Sequence, residues 1–85
     1  MAQTSRYFFR SKGDRIILDV YRLVEDDLLR RIQELVWKQG RWEHFDNHLI
    51  KKIIDLDIDL YEVSSDDVRR YVEGADLADY EFSDR

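Results

Sequence analysis

Carboxylates and tyrosines are the side chains of this sequence best placed to act together. Asp55, Asp57 and Asp59 alternate with Leu56, Ile58 and Leu60, and Tyr61 and Glu62 follow directly. Asp19 and Tyr21 hold the matching places in the earlier run Ile16-Ile17-Leu18-Asp19-Val20-Tyr21. On strands, alternate side chains project to one face. Asp19, Tyr21, Asp57, Asp59 and Tyr61 would then stand together on an acidic face, with Asp55 and Glu62 beside it. Clustered carboxylates repel one another, and a basic partner surface would relieve that repulsion. The plainer reading is a solvated face whose acids keep the protein soluble.

Metal chemistry fits less well. Asp55-x-Asp57-x-Asp59 has the opening spacing of a calcium-binding EF-hand loop, yet Leu60 stands where the loop needs glycine and Asp66 where it needs glutamate. His44 and His48 would share one face of a helix near Glu43 and Asp46, but two histidines do not complete a zinc site. Asp46 reads better as a helix N-cap, with Phe45 and Ile50 as its staple pair. No metal and no cofactor are expected.

Nor does a catalytic set emerge. There is no cysteine, Gly13, Gly40 and Gly74 are too scattered for a phosphate loop, and the serines lie near turns or termini. A chain of 85 residues also leaves little room for an apolar pocket that would perturb carboxylate pairs. No catalytic residue is assigned, and an enzyme is not expected.

Two basic features remain. Arg6, Arg10, Lys12 and Arg15 are opposed only by Asp14, and a basic two-stranded ribbon can enter a major groove. Trp37-Lys38-Gln39-Gly40-Arg41-Trp42 could stack on bases or anchor a protein interface. Alternatively, both indoles fold back over a small core.

Stepping along the chain, Arg6 to Arg10 and Arg15 to Leu23 read as a β-hairpin turning at Ser11-Lys12-Gly13-Asp14. Glu25-Asp26-Asp27 then places acids where a helix begins. Leu28, Leu29, Ile32, Leu35 and Val36 follow at helical spacing, with Asp26–Arg30, Asp27–Arg31 and Glu34–Lys38 as i,i+4 pairs. Gly40 would close that helix as its C′ residue.

From Arg41 to Val63 the spacing supports either one long helix or a short helix followed by a strand. Residues 16–32 echo residues 56–72, matching Asp19 with Asp59, Tyr21 with Tyr61, Asp26 with Asp66 and Arg30 with Arg70. That echo favours a helix over 46–54 and a third strand over 55–62. Ser64-Ser65-Asp66-Asp67 resembles a capping box for a last helix ending at Gly74.

The expected fold is α+β, in the order ββααβα. It has a three-stranded antiparallel or mixed sheet, made of the N-terminal hairpin plus one later strand, with three helices on one face. Residues 1–74 form one compact domain. Residues 75–85 are an acidic C-terminal tail, either loosely docked or flexible.

The net charge of −5 hides an asymmetry, since residues 1–54 carry 11 basic and 8 acidic side chains while 55–85 carry 3 and 11. The N-terminus has no signal-peptide pattern, and no apolar run is long enough to span a bilayer. A cytoplasmic protein with no membrane contact is expected.

Together these readings point to a small acidic regulatory or adaptor protein that binds a basic surface of another protein. One version is an inhibitor that mimics nucleic-acid charge, an analogy of composition only with small acidic phage proteins. The alternative is nucleic-acid binding through the N-terminal hairpin, although true binders are usually basic overall. Opposite charge in the two halves, and an edge strand at residues 6–10, leave a homodimer open.

Overall fold

A computed structural model describes residues 3–12, 16–45, 49–55 and 59–82, and it is mostly β. The strands are β1 (Gln3–Lys12), β2 (Ile16–Asp26), β3 (Arg31–Lys38), β4 (Arg41–His44) and β5 (Leu60–Val63), with short helices α1 (Leu49–Ile54) and α2 (Ser65–Tyr71). All five strands join one antiparallel sheet in the order β4-β3-β2-β1-β5. The expected α+β fold, with its three-stranded sheet, three helices and order ββααβα, is therefore wrong.

The error lies between Asp26 and His44. Asp26 pairs with Arg31 and Tyr21 with Val36, so the segment read as a helix is a hairpin with a four-residue loop. The Asp26 carboxylate accepts the Leu29 amide proton at 2.9 Å. That bond copies a helix N-cap, but the chain turns back after Arg30, at φ +52°. Gly40 ends no helix. Lys38 faces Arg41 across a two-residue turn in which Gln39 and Gly40 both have positive φ, at +53° and +80°. Positive φ at both central residues marks a type I′ turn, whose twist matches that of paired strands.

Both faces of the sheet are covered, which explains why β3 does not alternate. On one face, Tyr7, Phe9 and Val20 pack under Val68 and Val72 of the α2 region. On the other, Phe8, Tyr21 and Val36 pack under Leu49 of α1. Tyr7, Phe8 and Phe9 are consequently all buried, as are Leu35 and Val36. Fully burying a side chain such as Leu49 or Phe9 contributes about 1.5–3 kcal/mol. The two indoles of Trp37 and Trp42 meet edge-on at 5.0 Å beside the first cluster.

β1 is not an edge strand, because Tyr7 pairs with Arg22 on one side and Val63 on the other. The edges are β4 and β5, four residues each, and short edges resist unwanted pairing. The register of β2 shifts between Asp19 and Ile17, leaving Leu18 unpaired in a bulge.

Helix α2 begins as its capping box implies. Ser64 Oγ accepts the Asp67 amide proton at 3.1 Å, and the Asp67 carboxylate accepts that of Ser64 at 3.2 Å. Helix α1 is tied to the sheet where the Leu49 amide donates to the Glu34 carboxylate. The turn at Gly13-Asp14, the Asp46 N-cap and the start of the expected third strand at 56–58 lie outside the described residues.

Candidate functional site

The carboxylates and tyrosines singled out above do not share one face. Asp19 points to the α1 side, where it accepts from Arg10 Nε at 2.7 Å and from the Tyr21 hydroxyl at 3.2 Å. Tyr21 is buried there, 4.7 Å from the Phe45 ring between centroids, rather than presented to a partner. Burial, followed by the Asp19 charge, raises the Tyr21 pKa above that of an ordinary phenol.

Glu62 lies on the same side and pairs with Arg6 at 2.7 Å. Its hydrogen bond from Arg6 holds the carboxyl below the usual range. Tyr61, its neighbour in β5, points to the opposite face and packs edge-on against Phe9. Asp55 and Asp59 are exposed beyond α1 and before β5, and Asp57 lies outside the described residues. The sheet therefore presents no continuous acidic face built from these residues.

The basic hairpin is partly neutralised in the same way. Arg6 and Arg10 are held by Glu62 and Asp19, both arginine pKa values being raised first by those hydrogen bonds. Lys12 is exposed, and Arg15 lies outside the described residues. His44 sits on β4 with Nε2 3.2 Å from the Tyr80 hydroxyl, while His48 is not among the described residues.

Two other features stand out. The first is the tip of the β2–β3 hairpin, where Leu28 is 84% exposed, Leu29 56% and Ile32 54%. A notch of about 380 Å³ opens beside them, lined by Glu25, Asp26, Asp27, Arg30 and Arg31 with Ile32. The Arg31 guanidinium lies 5.2 Å from the Phe82 ring, and Asp26 is engaged by Leu29. Exposed Glu25 and Asp27 are left beside the leucines.

The second is Arg22, 2% exposed. It lies on the same sheet face as buried Val20 and Val24, with its guanidinium 5.6 Å from the Tyr7 ring and 5.7 Å from the Trp42 ring. Among the described residues no carboxylate lies within ion-pair distance of it. Taking such a charge out of water costs several kcal/mol. The aromatic faces and two acceptors, Ser5 Oγ at 3.0 Å and the Ala78 carbonyl at 2.7 Å, offset that cost.

The Ala78 contact belongs to a series across residues 75–82. Trp42 Nε1 donates to the Asp76 carbonyl at 2.6 Å. The Gln3 side chain donates to the Tyr80 carbonyl at 2.9 Å and accepts the Tyr80 amide proton at 2.6 Å. The C-terminal segment thus crosses the sheet over Trp42, Arg22 and Gln3.

Sequence reasoning missed both features. The alternation Val20-x-Arg22-x-Val24 was the signal for Arg22, since it places an arginine in the middle of an apolar face. Nothing comparable marked Leu28 and Leu29, whose spacing suits a buried helix face. No family model matches the chain, and neither curated proteins nor solved structures yield a match.

Proposed function

We propose that this protein is a non-catalytic, cytoplasmic binding module that docks on another protein through the β2–β3 hairpin tip. The observation carrying this reading is the exposure of Leu28, Leu29 and Ile32 beside Glu25 and Asp27. Large apolar side chains held in water by a rigid hairpin match interface anchors better than surface filler. The fitting partner is an apolar pocket rimmed by Lys or Arg, which keeps the expectation of a basic partner surface but moves the contact to the tip.

An inhibitory action on that partner follows if the docked pocket is itself a nucleic-acid-binding cleft, with Glu25 and Asp27 meeting its phosphate-binding cations. Direct nucleic-acid binding by the protein itself has less support, since Arg6 and Arg10 would first have to leave their carboxylates. Among the described residues no helix is long and apolar enough to cross a membrane, which says nothing of a β-barrel.

The test is the double substitution Leu28→Ser, Leu29→Ser. Both side chains are solvent-facing, so thermal stability should stay near that of the parent protein. Binding to the partner isolated with the parent protein should fall at least tenfold. Undiminished binding would remove the tip from the interface.

A further inference from the structure

The C-terminal segment is held chiefly through its backbone, and at every second residue. The carbonyls of Asp76, Ala78 and Tyr80 accept from the Trp42 indole, the Arg22 guanidinium and the Gln3 amide in turn. Spacing by two is that of an extended chain. Three donors fixed on a sheet at that interval read main chain, so their fit does not require these particular side chains.

We propose that the sheet face over Gln3, Arg22 and Trp42 is a binding groove for an extended acidic peptide of another protein, and that residues 75–82 occupy it in cis. Charge supports the acidic class. The groove supplies Arg22 and Arg31, with Arg41 at its rim, while the segment it now holds carries Asp76, Asp79 and Glu81.

The present occupant fits loosely. A cleft of about 500 Å³ remains along it, bounded by Arg22, Arg41 and Trp42 on one side and Asp76, Asp79 and Tyr80 on the other. Ala78, Asp79 and Glu81 are exposed, and Leu77, Tyr80 and Phe82 only half-buried, so lifting the segment uncovers little apolar surface. Gly74, at φ +72°, provides the turn from α2 into the segment. A linked occupant also competes at an effective concentration in the millimolar range, so the groove opens only to a peptide that fits it better or once the segment is weakened. This groove is separate from the hairpin tip, and either can fail alone.

The probe is a fluorescein-labelled peptide of residues 75–82, Ala-Asp-Leu-Ala-Asp-Tyr-Glu-Phe, added to the full chain and followed by fluorescence anisotropy. Tyr80→Pro removes the amide proton given to Gln3 and leaves the sheet intact, so this variant should bind the peptide at least tenfold more tightly than the parent chain. Adding Gln3→Ala should weaken that binding again by about fivefold to tenfold, the worth of one or two hydrogen bonds. Should Tyr80→Pro not fold, Phe82→Ser, which removes only the contact to Arg31, should show the same ordering. Equal binding by the parent and the folded variant, or no binding by the folded variant, would overturn the proposal.

Discussion

Arg22 Nη2 donates to the Ala78 carbonyl at 2.7 Å, so a buried strand residue holds the C-terminal segment by its backbone. Arg22→Met keeps an apolar stem between Tyr7 and Trp42 but strips the donors from Ser5 and Ala78. The expected cost is about 1–3 kcal/mol, and each kcal/mol lowers Tm by about 4–8 °C in a domain this size. Hydrogen exchange at the Tyr80 amide should accelerate at least tenfold. An unchanged Tm together with unchanged exchange would show that the segment does not depend on Arg22.

The turn between β3 and β4 offers a test of the hairpin itself. Asn is favoured over Gln where φ is positive, so Gln39→Asn should raise Tm by a few degrees. Gly40→Ala should lower stability by about 1 kcal/mol, because φ is +80° there although a methyl group would have open space. A helix ending at Gly40 would share the second effect but not the first. Thermal denaturation of the two variants separates the structures.

Tyr21 sets an alkaline limit. Its folded pKa is raised by burial and by Asp19, so the folded state holds the phenolic proton more tightly than the unfolded chain, whose tyrosines titrate near ~10. The stability linked to this group is complete below that pH and is lost as pH rises through the folded value. Absorbance titration should show one tyrosine ionising late, together with unfolding. Tyr21→Phe should remove the late step and lose about 0.5–1.5 kcal/mol at neutral pH with the hydrogen bond to Asp19.

The acid limit has the opposite sign. Glu62 has a lowered folded pKa because Arg6 donates to it, so its contribution is present above the unfolded value, near ~4.3, and fades as pH falls through the folded one. The pair is about half exposed, so its effect should be small and weaken in salt. Glu62→Gln should flatten the decline in Tm below pH 4.5 slightly. A steeper decline would mean that other carboxylates govern acid unfolding.

Parts of the fold were legible because local signals agreed with tertiary context. The aromatic run at Tyr7–Phe9 and the Ile- and Val-rich stretch after it do pair as β1 and β2, and the serine-initiated capping box does open α2. The echo between 16–32 and 56–72 helped with the first half of each unit and misled on the second. Ser64 supplies a cap oxygen before Asp66-Asp67, whereas Val24 stands in that place before Asp26-Asp27, so only the later unit continues as a helix.

β3 was illegible for a different reason. Leu35 and Val36 point to opposite faces, yet both are buried because each face has its own cover. That removes the polar half of a strand alternation and leaves a pattern any helix could claim. The site suffered likewise. Asp19 and Glu62 read as free acids until their arginine partners on β1 came into register, and Arg22 read as a solvent-facing strand cation.

Docking through the hairpin tip is tested most directly by a photoreactive benzophenone side chain placed at Leu28, with the same group at exposed Asp66 as control. Irradiation in the source cell, followed by mass spectrometry, should give a protein adduct from position 28 that position 66 does not give, and Asp27→Lys should diminish it. No adduct specific to position 28, or the same adducts from both positions, would contradict the proposed interface.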